Sequence, residues 1–411
     1  MKSHPHIFII VAAFGSCVEE FPTQTQNLET LLVVDALITT VFKAHKIELS
    51  RVFAFEDEEP SPEVGAIVQV IDNQGNEFVF DETEPGAYVS QIEFSAELGK
   101  SYQMHIETAD GKNYISKEVT TPNNTEVGDV TPERVFSEDG EEGVGIFLDT
   151  PANSSEPTFF RYEFDEAYKI IAPRWEPFQF QVKLNTPCIG EAFVVDITRW
   201  QDERQTCFGT SKSQRLILSS SADLKEESDT RFQLHFLSGE NYVISHRYSI
   251  NVIQYSQTQD AHSFYQRLGD FSSTPDIFSL TQPGFLEGNI LSASDAEEMV
   301  LGYFEVASIS EKRMFFNYTD LFPEEPLPPY PFNCETIGNP RLFPEGYTCF
   351  AIGDCEGQCV SPLIEQIETE RVVYAGIKDG DTLAPYFTWP SPCGDCTALG
   401  TNVIPEFWIE E

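Results

Sequence analysis

A mainly β fold is what this sequence predicts, and three observations predict it. Phe occurs 33 times in 411 residues against 4 for Met, and aromatic and β-branched residues suit a pleated, half-buried surface. Short segments alternate apolar and polar residues: Tyr102, Met104 and Ile106 face one way, Gln103, His105 and Glu107 the other. Between such segments stand Asp72-Asn73-Gln74-Gly75 and Asp110-Gly111, residues that tolerate the positive φ of hairpin turns. We therefore expect an N-terminal immunoglobulin-like β-sandwich, then a larger β-rich domain with one short helix and a disulfide-rich C-terminal region.

Residues 1–16 read as a lipoprotein signal peptide. Lys2, His4 and His6 make a short basic start, 7–13 an apolar run, and Phe14-Gly15-Ser16 a close with small residues before Cys17. The run is far short of the roughly 20 apolar residues of a membrane-spanning helix, so Cys17 is expected to be the acylated mature N-terminus. Glu19 and Glu20 follow at once, and here the chain resembles the surface-exposed lipoproteins of Bacteroidota. That resemblance implies that Glu19 and Glu20 are an export signal to the outer face of the outer membrane. Residues 17–29 are polar and aperiodic, as a tether from the lipid should be.

Residues 30–120 hold about seven short strand patterns, at 31–38, 46–53, 65–71, 77–80, 88–94, 102–108 and 114–119, the density of an immunoglobulin-like sandwich. With no helix to build a cleft, its loops are the expected working surface. The polar, Pro- and Asn-containing stretch 120–132 marks the boundary. In the second domain, 133–411, strands are expected at 145–148, 158–164, 178–184, 193–197, 215–219, 231–237 and 242–255. A helix follows at 256–268, where Ala261, Phe264, Tyr265 and Leu268 fall at i, i+3, i+4 and i+7, Ser256 or Thr258 can cap the start and Gly269 can end it.

Nine cysteines are present, and setting Cys17 aside for the lipid leaves Cys188, Cys207, Cys334, Cys349, Cys355, Cys359, Cys393 and Cys396. An even count outside the cytoplasm reads as disulfides. Cys188 and Cys207 are isolated from the others and are expected to pair, stapling an excursion that carries Trp200; closing about twenty residues is worth roughly 3 kcal/mol in loop entropy. The alternative for the others is a zinc site from Cys355-x3-Cys359 and Cys393-x2-Cys396.

The runs Ala261-His262-Ser263-Phe264-Tyr265, Pro283-Gly284-Phe285-Leu286-Glu287-Gly288-Asn289-Ile290 and Val300-Leu301-Gly302-Tyr303-Phe304 with Glu311-Lys312-Arg313 resemble a Bacteroidota lipoprotein family called domain of unknown function 4249. The start Val33-Val34-Asp35-Ala36-Leu37-Ile38 and the tail Cys393-Gly394-Asp395-Cys396, Gly400-Thr401-Asn402 and Pro405-Glu406-Phe407-Trp408 extend the resemblance over nearly the whole mature chain. It implies a surface lipoprotein whose partner is an outer-membrane protein, a TonB-dependent receptor, and it brings no catalytic residues. Residues 300–309 and 312–317 also read, independently, as a strand pair, and Gly288 and Gly302 as backbone requirements.

From 321 to 359 prolines at 323, 326, 328, 329 and 331 and four cysteines describe an irregular loop held by disulfides. Tyr330, Phe332, Phe343, Tyr347 and Phe350 are its candidate partner contacts, the other reading being that the rings fill the space beneath the loop. Asp381-Thr382-Leu383 resembles a Bacteroidota O-glycosylation sequon, which makes Thr382 a candidate.

A formal charge of −42 without a Lys/Arg cluster excludes nucleic acid as a partner and opposes lying flat on an anionic bilayer. The acidic runs at 56–59 and 138–142 lack calcium-loop spacing and read as solvated loops. No HExxH, glycine-rich phosphate loop or GxSxG occurs. We therefore expect no cofactor, no metal and no catalysis: a surface subunit that binds or gates beside an outer-membrane barrel, or an autonomous binder of glycan or peptide. A groove lined by Trp175 or Trp200 would favour the second.

Overall fold

One 18-residue strand, Val300–Asn317, is the spine of the molecule. Its first half pairs in parallel with Leu32–Thr39 and its second half antiparallel with Arg247–Gln257, so it joins the early and late parts of the chain. The sequence suggests two strands here. The structure shows no break, because Glu311 and Lys312 continue the ladder opposite Ile253 and Val252. This computed structural model describes residues 31–52, 60–149, 158–184, 193–221, 231–273, 286–343 and 361–410. Cys17, Glu19, Glu20, Cys188, Tyr347, Cys349, Phe350, Cys355, Cys359 and the acidic run 56–59 lie outside the described residues.

The chain is mainly β. From the spine a 15-stranded sheet extends both ways, through Phe159–Ile171 and Thr206–Lys212 on one side. On the other it runs through Leu32–Thr39, Lys46–Arg51, Ala87–Ser90, Glu77–Glu84, Ile67–Asp72, Ser101–Glu107, Asn113–Ser116 and Ile290–Ser292. The alternation read from sequence holds there: Tyr102, Met104 and Ile106 are buried, and Ile106 and Met104 stand opposite buried Val68 and Val70.

This N-terminal unit has its own core, and residues beyond 120 help to complete it. Ile290, Val300, Phe304 and Val306 lie in the same cluster as Leu32, Val34, Ile47 and Tyr114. The sheet curls until Asn289, just before its last strand, reaches the spine: the Asn289 amide donates to the Phe304 carbonyl (2.8 Å) and its side-chain oxygen accepts from the Phe304 N–H (2.8 Å). Gly302 has φ +94, and a Cβ there would meet the Val34 carbonyl oxygen at 1.8 Å, so the parallel pairing requires glycine.

A second core lies between the large sheet and a three-stranded one, Val130–Phe136, Glu142–Asp149 and Arg231–Ser238. Val144, Ile146, Leu148, Leu234 and Leu237 meet Phe160, Tyr162, Tyr248, Ile250 and Val252 across it. The expected strand 242–255 begins instead as a 3-10 turn, Tyr242–Ile244, capped by the Asn241 side chain, and becomes strand at Arg247–Gln257. The helix spans Gln259–Ser273, because Ser256 and Gln257 stay in the ladder and Thr258 takes over as cap, accepting from the Ala261 N–H (3.2 Å). Gly269 does not end it. Ala261 and Phe264 pack on Tyr303, so the helix lies on the sheet.

Candidate functional site: a groove held by two disulfides

Two small hairpins stand apart from the large sheet, Phe178–Leu184 with Val194–Arg199 and Val372–Ile377 with Tyr386–Pro390. A short helix, Pro362–Glu368, packs beside them through Leu363 and Ile364, which meet Phe193, Val195 and Leu342. Ser361 caps it by accepting from the Ile364 N–H (3.3 Å), and Pro362 occupies its first turn. That Ser-Pro start before Leu363, Ile364 and Ile367 is a legible helix signal that the sequence reading passed over.

Between these pieces opens a groove of about 350 Å³ lined by Gln179, Phe180, Trp200, Arg204, Glu370, Tyr374 and Asp395, among others. Phe180 meets the Tyr374 ring edge-to-face, centroids 5.5 Å apart. The Arg204 guanidinium lies 4.8 Å from the Trp200 ring centre and donates to Asp395 (2.9 Å) and to the Thr397 hydroxyl (2.7 Å). Burial opposes its charge, but bonds to Asp202 and Asp395 win and raise its pKa. Burial, with Glu176 nearby, raises the Tyr374 pKa, so the ring enters the groove as a neutral phenol.

The disulfides fix this groove, and they correct the pairing expected from spacing. Cys207 bonds Cys396, 189 residues away, and Cys334 bonds Cys393, 59 residues away. Sequence isolation misled because the Thr206–Lys212 strand brings Cys207 beside the C-terminal turn, where Phe208 and Thr401 exchange backbone hydrogen bonds of 2.8 and 2.9 Å. The expected Cys188–Cys207 staple of the Trp200 excursion is therefore not formed, since Cys207 is tied to the far end of the chain. With Cys393 and Cys396 both oxidised, the zinc alternative loses two of its four ligands. The wall residues Ser391, Asp395, Thr397 and Ala398 flank these two half-cystines.

The other candidates are placed as follows. Tyr330 is turned inward: its hydroxyl donates to the Ile171 carbonyl (2.9 Å) and accepts from the Ile171 N–H (3.1 Å), and Tyr242 and Phe332 lie against its ring. Phe343 packs near Phe193, centroids 6.0 Å apart. Both half-buried rings pack on residues of this same chain, which favours the space-filling alternative over partner contact for Tyr330 and Phe343. Thr382 is exposed on a turn that the Asp381 carboxylate holds by accepting from the Leu383 and Ala384 N–H groups (3.1 and 2.9 Å). Trp408 packs edge-on against Phe208 and Phe315, and Trp175 lies against the second core.

Sequence reading missed a buried ion cluster where the signature residues converge. Glu305 has no exposed surface; it accepts from Arg161 (3.2 Å), Gln257 (2.6 Å) and the Tyr265 hydroxyl (2.9 Å). Arg161 stacks 4.0 Å over Tyr255 and also reaches Glu163 (2.5 Å). Burial disfavours its charge, but Glu305 leads the neighbours that hold it protonated. Further along the Arg161 strand, on the other face of the sheet, Ser211 and Tyr248 donate to Glu166, and His235 approaches the same carboxylate (3.3 Å). The serine thus meets the carboxylate and not the imidazole, an arrangement that does not activate a nucleophile.

A family described as a domain of unknown function (DUF4249) matches residues 18–313. The chain belongs to that family. Its signature glycines and asparagine, Gly302, Gly288 and Asn289, are structural here: a Cβ on Gly288 would meet the Gly302 carbonyl oxygen at 1.8 Å. No curated protein matches. Among solved structures, a DUF4785 family protein from Legionella pneumophila subsp. pneumophila str. Philadelphia 1 is 8% identical, with 55% of this chain and 52% of that one covered and a TM-score of 0.18. This chain thus spans about half of that protein's length, and so distant a likeness bears on neither fold nor function.

Proposed function

We propose that the protein is a non-enzymatic, cell-surface lipoprotein, anchored to the outer membrane through Cys17, that captures a ligand as an accessory subunit of a TonB-dependent outer-membrane protein. The observation that carries ligand capture is the groove, because a recess with flat aromatic walls and a few convergent polar groups is what a small-molecule site requires. Two disulfides behind its wall hold it in shape before binding, so less entropy is lost on association. Anchorage rests on the signal-like start and the Glu19-Glu20 pair. No helix among the described residues is long and apolar enough to cross a membrane.

Trp200 in an open groove also favours a second reading, autonomous capture of a glycan or peptide without a receptor. Purification of the tagged protein from outer membranes in mild detergent separates the two. Stoichiometric recovery of one outer-membrane barrel supports the accessory role. A lone lipoprotein that still binds its ligand supports the autonomous one.

A further inference from the structure

The chemistry of the groove walls narrows the ligand further. We propose that this groove binds a neutral sugar ring at the end of an oligosaccharide, stacked on Trp200 and held at its hydroxyls by Glu370 and Gln179. The proposal rests on the reading that the groove captures a ligand.

A sugar ring presents an apolar face of C–H groups and a rim of hydroxyls that both donate and accept. Its site therefore needs a flat ring for the first and unspent polar side chains for the second. Trp200 and Tyr374 supply the rings. Asp395 is already occupied, since its two oxygens accept from Arg204 and from the Thr397 N–H and hydroxyl. Glu370 and the Gln179 amide are engaged by no described residue. One is a pure acceptor and the other both donates and accepts, a pair suited to neighbouring hydroxyls.

Glu370 stands out on its backbone as well. It follows the 362–368 helix in the left-handed region, φ 53, and is the only described residue other than glycine with positive φ. Glycine is the residue that suits such a helix end. An acidic residue held there against backbone preference in the wall of an open groove is explained if it contacts a ligand.

Charge and size set the class. Asp202 and Asp395 neutralise Arg204, so among the described residues the groove has no spare cation and its free ionic group is an anion, which disfavours uronates and sialylated or sulfated sugars. About 350 Å³ lies at the small end of ligand sites, room for the end of an oligosaccharide and too little for the alternating side chains of an extended peptide.

The test is titration calorimetry of the full mature chain with cellohexaose, xylohexaose, mannohexaose, maltohexaose, chitohexaose and hexagalacturonate, and with a tryptic digest of casein. At least one neutral oligosaccharide should bind and hexagalacturonate should not. Trp200→Ala and Glu370→Gln should each weaken that binding about tenfold or more, the loss of one good contact, with an unchanged melting temperature. Glu370→Gly should weaken binding while raising the melting temperature by a few degrees, because it relieves the strained position. A structural role for Glu370 predicts the opposite pattern, no change in binding. Absence of binding by every neutral sugar, or binding that Trp200→Ala leaves intact, overturns the proposal. Peptides bound in a Trp200-dependent way would overturn the sugar while keeping ligand capture. Binding of neither class would bring down both.

Discussion

Glu305 and Arg161 are a buried charge pair in the middle of the sheet, and such pairs are best judged by breaking them. Losing one partner leaves a buried ion uncompensated, which costs about 3 to 5 kcal/mol, whereas replacing both by apolar residues of similar volume is often neutral. Glu305→Leu should therefore lower stability to urea by about that much, and Glu305→Leu with Arg161→Met should recover most of it. If the double variant is no better than the sum of the singles, the hydrogen bonds from Gln257 and Tyr265 matter more than the pair. His45 makes the second case at this scale. It is 1% exposed, its ring Nε2 meets the Phe94 carbonyl at 2.9 Å, and burial pushes its pKa down from 6.5 to about 4. A depressed histidine binds its proton more readily when unfolded, so this contribution to stability is complete above pH 6.5. It drains away as pH falls toward 4, by at most about 3 kcal/mol. Asp72, held at about 2 against burial by Asn76 and the Gln74 N–H, loses its own contribution only below the usual carboxylate range. Urea midpoints should thus decline from pH 6.5 to 4, and His45→Gln should make that decline shallower, the half-buried His246 keeping part of it, while leaving the steeper acid limb.

The Cys207–Cys396 bond acts on whole elements. It ties the strand Thr206–Lys212 to the turn that walls the groove, across a loop whose closure is worth roughly 5 kcal/mol in chain entropy. Peptide mapping of the oxidised protein should recover Cys207 with Cys396 and Cys334 with Cys393. Cys207→Ser with Cys396→Ser should lower the melting temperature by many degrees and loosen the groove. The readout is hydrogen exchange at 391–398, which should quicken more than at 300–317. Equal protection of both segments would mean that packing alone holds the wall. The spine shows the same principle from the other side: Gly302 looks like a weak point in a strand, yet it permits the parallel approach to Val34.

For the whole molecule the decisive question is where it resides. The Leu32–Thr39 strand lies beside the spine, so a tether from an anchor at Cys17 would join the fold there. Labelled palmitate should be incorporated by the wild type and not by Cys17→Ala. Replacing Glu19 and Glu20 by Ala should keep the label but remove sensitivity to protease added to intact cells. Unchanged sensitivity would reject the export role. With a formal charge of −42, association with any acidic surface should strengthen as salt is raised.

Period and turn chemistry are local properties, and what depends on them was legible. The strands from Leu32 to Ser116 and the helical stripe of Ala261 and Phe264 follow from neighbours within a few residues. Where a local cue competed with a long-range contact, the contact won. Glu311 and Lys312 look like a turn but lie in one ladder, and Gly269 looks like a stop but lies inside the helix. Only the tertiary structure could pair Cys207 with Cys396, bury Glu305 on Arg161, turn Tyr330 inward, or set Gln179, Trp200, Glu370 and Tyr374 around one groove. These partners are separated by dozens to hundreds of residues, and sequence spacing carries no information about distance once a chain has folded back on itself. What the sequence determined by itself was the mainly β character and the chemistry available; which side chains meet was decided by long-range strand pairing, the spine above all, and by the disulfides, because these bring remote segments together.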